Sequence, residues 1–372
     1  MLMAGVAILS LGKQPALLAE GSESAFMLAN HRHDFVREDL RLVDNSRPTQ
    51  ANKDFAGTDL RIFEAAYWYP VNHQGAVPEG QHPLVVYSHG FGSSRESGKH
   101  LGEYLARNGY IVIAANFPLT NRSAPGGPEP KDVVNQPGDV SFLIDTVIAW
   151  SLGKGHVLSG HLDETRIGVT GISLGGMTTT LVSYHPTNRD PRIKAAASIA
   201  GPSSSFSEKF YENADIPFLM LAADIDALVP YDVHALPVLD RVQRSSLVTI
   251  EGGTHLGFAA HTGILRWLEN ADSIGCYSVL NNIDTEEAPW HELLGTPEQG
   301  ILYEDVPLPC ENKTLPIGMN PLRQHMSTVL TIYSFFESHF NQDPVKRTYH
   351  DRFLHEVMPK EIPEVTVRRR AS

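Results

Sequence analysis

Cysteine is scarce: the 372 residues contain two, Cys276 and Cys310. Two thiols cannot build a zinc site of the usual kind, and no histidine flanks them at ligand spacing, so no metal is expected. In an oxidising compartment the pair forms one bridge, closing a loop of about 35 residues and stabilising it by roughly 4 kcal/mol in the chain-entropy model. In the cytosol the same residues are two separate buried thiols. Excess positive charge is also missing. The formal net charge is −13, which repels nucleic acid and anionic lipid headgroups and excludes both as partners. Internal repeats and low-complexity runs are absent, which excludes collagen, coiled coil and bulk disorder. The apolar run Leu2–Leu11 is too short to span a bilayer, so no stable membrane insertion is expected.

That run, followed by Ala16-Leu17-Leu18-Ala19 and then Glu20-Gly21-Ser22, has the apolar centre and small-residue end of a secretory signal without its basic start. Residues 1–22 are therefore read as a signal remnant or an arm. The signal reading places the protein in a secreted or periplasmic setting, the other in the cytoplasm. Residues 23–372 are read as a single domain.

Apolar runs of buried-strand type recur: Arg61–Trp68, Leu84–Ser88, Tyr110–Asn116, Arg166–Thr170, Ala195–Ile199, Phe218–Ala222 and Leu247–Ile250. Helical spacing separates several of them, at Glu96–Asn108, Asp139–Leu152 and Met177–Tyr184. This alternation predicts an α/β fold, a mostly parallel sheet with helices on both faces. Residues 263–320 break the pattern and hold both cysteines. They are read as an insertion or lid before an amphipathic helix over Pro321–Phe340. Glu20–Lys53 and the polar tail beyond Asn341 are expected on the surface, with Arg368-Arg369-Arg370 as a solvated basic end.

Chemistry-bearing residues follow the strands, where ligands bind in such sheets. Gly171-Ile172-Ser173-Leu174-Gly175 is a G-x-S-x-G segment between a strand and a helix. A tight turn there exposes Ser173 as nucleophile over a helix N-terminus, and glycine on either side leaves room for it. Ser88-His89-Gly90-Phe91-Gly92 supplies a loop whose Phe91 N–H, with that of Leu174, is placed to receive an oxyanion. His89 is read as holding that loop. After Phe218–Ala222 come Asp224 and Asp226; Asp226, ahead of an apolar pair and Pro230, is preferred as the acid. His255, in a glycine-rich loop after Leu247–Ile250, is the base. The chain order Ser, Asp, His is that of the α/β-hydrolase triad. Phe91, Leu174 and Phe258 are expected to line the substrate site.

The segments LVVYSHGFGSSRES, YIVIAANFP, GISLGG, DALVP and GGTHLGF together resemble the serine-dependent relatives of dienelactone hydrolase. That group includes platelet-activating-factor acetylhydrolase-like proteins and neighbouring bacterial cutinases and polyesterases. The resemblance covers about residues 36–260 and 321–340. It implies an α/β-hydrolase fold and a cofactor-free ester hydrolase acting through an acyl-enzyme. The substrates expected are short to medium acyl or polyester-type esters, small or polymeric; the rival expectation is a lipase or phospholipase A2-like activity. Ser173 stands where dienelactone hydrolases themselves carry cysteine, which argues against that activity.

Overall fold

The computed structural model describes residues 14–260, 262–282, 290–303, 309–311 and 314–370. The reading of 1–22 as signal remnant or arm therefore falls largely outside the described residues. Among these residues the strands are β1 (Asp34–Asp44), β2 (Arg61–Val71), β3 (His82–Ser88), β4 (Ile111–Ala115), β5 (Leu162–Ile172), β6 (Ile193–Ile199), β7 (Phe218–Ala223), β8 (Ser245–Ile250) and β9 (Val365–Arg369). They form one sheet in the order β1-β2-β4-β3-β5-β6-β7-β8-β9. From β4 to β8 every pair is parallel, and antiparallel pairs flank that centre on both sides.

The main helices are α1 (Glu23–Ala29), α2 (Lys99–Arg107), α3 (Gln136–Leu152), α4 (Leu174–Tyr184), α5 (Asp272–Asn282), α6 (Pro321–Phe340) and α7 (Pro344–Arg352). Neighbouring side chains of a strand point to opposite faces, and the sheet has a core on each. Leu84, Val86, Ile111 and Ile113 pack with Leu143 and Val147 of α3 and Met177 and Leu181 of α4. Val85, Tyr87, Val112 and Ala114 pack with Leu101 and Leu105 of α2 and Leu330 and Phe336 of α6. Central strands buried on both faces are why these segments read as continuous apolar runs. Among the described residues no helix is long and apolar enough to cross a membrane.

Glu20–Lys53 lies mostly at the surface, as expected, but within it β1 is an ordered edge strand paired along its whole length with β2. Its charges are used: Arg37 meets Glu96, and Arg95 meets Asp39. The tail beyond Asn341 is a correction: it is not a surface extension. It forms α7 and further helical turns whose Phe353, Leu354, Met358 and Ile362 are buried. Arg368 and Arg369 belong to β9, opposite Leu247 and Ser246. The basic end is thus a strand: Arg370 pairs with Glu208, and Arg368 donates to the Tyr231 hydroxyl at 2.8 Å.

A buried ion cluster fixes the proline-rich loop at 118–137. Arg61, 1% exposed, donates to both carboxylate oxygens of Asp132 at 3.2 and 2.8 Å and to Asp139 at 2.7 Å. Gln136, beside this cluster, accepts a hydrogen bond from Thr178 of α4 and donates to Thr120 at 2.8 Å. Arg61→Met is expected to leave buried Asp132 without its cation and Asp139 with Arg47 alone, 2.8 Å away, and to cost on the order of 3–5 kcal/mol, read by urea unfolding. A loss under about 1 kcal/mol, the scale of a surface pair, would show that the cluster stabilises little.

The described parts of 263–320 pack on the sheet's carboxyl edge. At Gly275 of α5 an added Cβ would lie 3.1 Å from Leu228 and 3.2 Å from Leu256. The Ser207 N–H donates to the Gly300 carbonyl at 3.0 Å, and the Leu302 N–H donates to the Ser205 carbonyl at 2.8 Å. A disulfide joins Cys276 to Cys310.

Candidate active site

Ser173 connects the last residue of β5 to the first of α4. Its backbone has φ 57° and ψ −123°, a conformation that costs a non-glycine residue on the order of 1–3 kcal/mol. The strain is over-determined by crowding. A Cβ on Gly175 would lie 2.1 Å from the Ser88 carbonyl oxygen, and one on Gly171 2.4 Å from that of Gly175. Only glycine fits at either position. The Ser173 N–H donates to the Ile199 carbonyl of β6 at 2.8 Å, and its own carbonyl accepts from Gly176 and Met177. The turn is thereby locked between two strands and a helix.

The loop after β3 lies against this turn. A Cβ on Gly90 would stand 3.1 Å from the Ser173 Cβ and 3.7 Å from its Oγ. His89 holds the loop in place: its Nε2 accepts from the Phe117 N–H at 3.0 Å, and its Nδ1 lies 2.8 Å from the Gly90 carbonyl. Burial pushes the His89 imidazole down to about 4, so it is neutral at ordinary pH. Leu174 is the first residue of α4, where an N–H has no acceptor inside the helix. Among the described residues no main-chain acceptor is recorded for the Phe91 N–H. Neither N–H is thus tied to a main-chain acceptor among the described residues.

Asp226 and His255 leave β7 and β8 at the same edge. His255 Nδ1 lies 2.7 Å from Asp226 Oδ2, and both side chains are buried. The other oxygen, Oδ1, accepts from the N–H groups of Leu228 and Val229 at 2.9 and 2.7 Å. The carboxylate is therefore held by its own loop. Burial lowers the His255 pKa, but Asp226 outweighs it, with a further contribution from Asp272, and the ring is raised above an ordinary imidazole. Asp224 stands apart from this bond. Its Oδ1 accepts from the Gly252 N–H at 2.6 Å and ties the two loops together.

Phe258 is a correction. It lies on a short turn, Leu256–Phe258, with its side chain 2% exposed in the core shared with α6. The apolar packing that places His255 consumes Phe258, so it cannot line an open site. Leu174 is also buried, and its position near the site concerns its N–H. Phe91 is partly exposed and packs on the opposite core.

Sequence reasoning missed Asp272. This fully buried carboxylate accepts N–H bonds from Ala227, His255 and Leu256. Nothing in its local sequence marks it, because its partners are main-chain groups.

A family model described as PET hydrolase-like matches residues 64–267. The chain belongs to that family. It is 23% identical over 175 residues to Cutinase 2 of Thermobifida cellulosilytica, covering 46% of this chain and 59% of the cutinase. It is 29% identical over 163 residues to the putative esterase NocK of Nocardia uniformis subsp. tsuyamanensis, covering 42% and 43%. The match thus spans about half of these relatives' lengths. Among solved structures, the ferulic acid esterase from Streptomyces cinnamoneus superposes with a TM-score of 0.55 and 21% identity, over 91% of this chain and 98% of that one. At that identity the likeness establishes the α/β-hydrolase fold. The PET hydrolase-like segment contains Phe91, Ser173, Asp226 and His255, the residues whose geometry is set out above.

Proposed function

We propose that the chain is a carboxylic ester hydrolase that works through an acyl-enzyme. The observation that carries this reading is the 2.7 Å bond from His255 to the buried Asp226, at the sheet edge that also bears the strained Ser173 turn. In this reading Ser173 Oγ attacks the ester carbonyl while His255 takes its proton. The Phe91 and Leu174 N–H groups receive the oxyanion. His255 then gives the proton to the leaving alcohol, and water repeats the sequence on the acyl-enzyme. Asp226 keeps the Nδ1 proton on the ring, orients it and stabilises the imidazolium.

The substrates proposed are short to medium acyl and polyester-type esters. Two observations support them: membership of the PET hydrolase-like family, and the exposed apolar side chains Ile264, Trp267 and Ile274 beside and on α5. Such a surface suits a chain that is too large to be enclosed. The disulfide supports work in an oxidising compartment, secreted or periplasmic.

The test is a series of nitrophenyl esters from acetate to laurate, with release of monomers from a polyester film measured in parallel. The expected result is fastest turnover at the short end together with release from the film. Fastest turnover of laurate, with no release from the film, would overturn the substrate assignment in favour of a lipase-like one.

A further inference from the structure

The carboxylate of Asp272 lies at the start of α5, where an acidic side chain ordinarily turns back to the free N–H groups of its own helix. It does not do so. All three of its N–H partners lie outside α5. Oδ2 accepts from His255 at 3.0 Å and Ala227 at 3.1 Å, and Oδ1 accepts from Leu256 at 2.8 Å. Ala227 follows Asp226, and the other two donors are His255 itself and its neighbour. One buried carboxylate thus grips the main chain of both loops.

The grip is anchored from behind. The Asp272 N–H donates to Asn270 Oδ1 at 2.8 Å, and Asn270 Nδ2 donates to the Pro316 carbonyl at 2.8 Å. One turn along α5, Cys276 is bonded to Cys310, whose N–H donates to the Ala227 carbonyl at 2.7 Å. Ala227 is therefore fixed through both its N–H and its carbonyl.

We propose that Asp272 is a positioning residue for the ester hydrolysis assigned above, clamping the Asp226 and His255 loops to each other and placing a second carboxylate beside the imidazole. The proposal rests on that functional reading. The titratable groups that face His255 are Asp226 after β7, Asp272 on α5 and His234 on the turn Tyr231–His234. Ionised Asp226 and Asp272 both favour the imidazolium; burial and then Asp226 hold the Asp272 carboxyl above the usual carboxylate range, and the His234 ring, pushed down to about 4 by burial, is neutral at working pH. The base must be neutral to accept the Ser173 proton. Removing the Asp272 charge therefore moves the acidic limb of kcat/KM to lower pH, while misplacement of the loops lowers kcat.

The experiment compares wild type, Asp272→Asn and Ser173→Ala on nitrophenyl butyrate across pH. Asp272→Asn is expected to lower kcat about 10- to 100-fold, as a small misplacement of catalytic groups does, with KM nearly unchanged. Its acidic limb is expected below that of wild type. Wild-type kcat with an unmoved limb overturns the proposal. A lowered kcat with an unmoved limb also overturns it, because a purely structural role predicts that outcome. If Asp272→Asn does not fold, Asp272→Glu is measured instead. The proposal then expects a reduced kcat with the acidic limb kept at its wild-type position, and wild-type kcat overturns it. Near-normal turnover by Ser173→Ala would instead overturn the functional reading, independently of Asp272.

Discussion

Ser173→Ala is expected to lower turnover of nitrophenyl butyrate by about 10⁵- to 10⁶-fold, the scale found when a hydroxyl nucleophile is removed from a serine triad. The structure makes this substitution a clean one. The strain at Ser173 is in its backbone and Cβ, which alanine shares, and the crowding by Gly171 and Gly175 is unchanged. Alanine removes Oγ and nothing else, so the variant should unfold at the same urea concentration as wild type. The N–H groups of Phe91 and Leu174 remain, and a small residual acceleration over water is expected from them. The measurement is a pre-steady-state burst of nitrophenol together with labelling by a fluorophosphonate. Wild type should show both and the variant neither. A loss smaller than tenfold in a correctly folded variant would remove Ser173 from the mechanism.

Asp226→Asn is expected to cost about 10⁴-fold in kcat, the scale seen when a triad carboxylate becomes an amide. The reason lies in how the two oxygens are used. Oδ1 takes two N–H bonds from Leu228 and Val229, so the asparagine oxygen is drawn to that side. The amide NH2 then faces His255 Nδ1 and donates to it. The ring must carry its remaining proton on Nε2, the nitrogen that has to accept from Ser173. Substrate binding involves none of these atoms, so KM should stay near the wild-type value. Asp224→Asn is the control: its carboxylate holds the Gly252 N–H and does not touch the imidazole. It is expected to retain turnover within about twofold, as substitutions outside the reacting groups do. If Asp224→Asn proves the more damaging of the two, the identity of the acid is reversed.

Much of this arrangement was legible because the determinants are side-chain types at fixed offsets. Central strands buried on two faces must be apolar throughout, and the serine turn tolerates only glycine at two positions. The proposed acid and base then follow successive strands in order. What was not legible has different causes. β1 is an edge strand whose residues are mostly half exposed, so its charges disguise its pairing with β2. In the tail, Phe353, Leu354, Met358 and Ile362 recur at helical spacing, yet the charged residues between them lower the average hydrophobic signal. Asp272 illustrates a deeper limit. It recognises main-chain N–H groups, which every residue but proline possesses, so no pattern of side chains announces its partners. Phe258 failed for the opposite reason: an aromatic next to the base looks available in sequence, and only packing shows that the core has claimed it.

The pairing of β8 with β9 has a consequence for synthesis. The strand that leads into His255 spans 245–250, and the strand that covers its open edge spans 365–369. While the ribosome makes the 114 residues between Ile250 and Val365, β8 has no neighbour on that side. Chains grow N-terminal end first, and unpaired strand edges invite association with other chains. The nascent protein therefore carries an open strand edge leading into His255 until nearly all of these residues have been made.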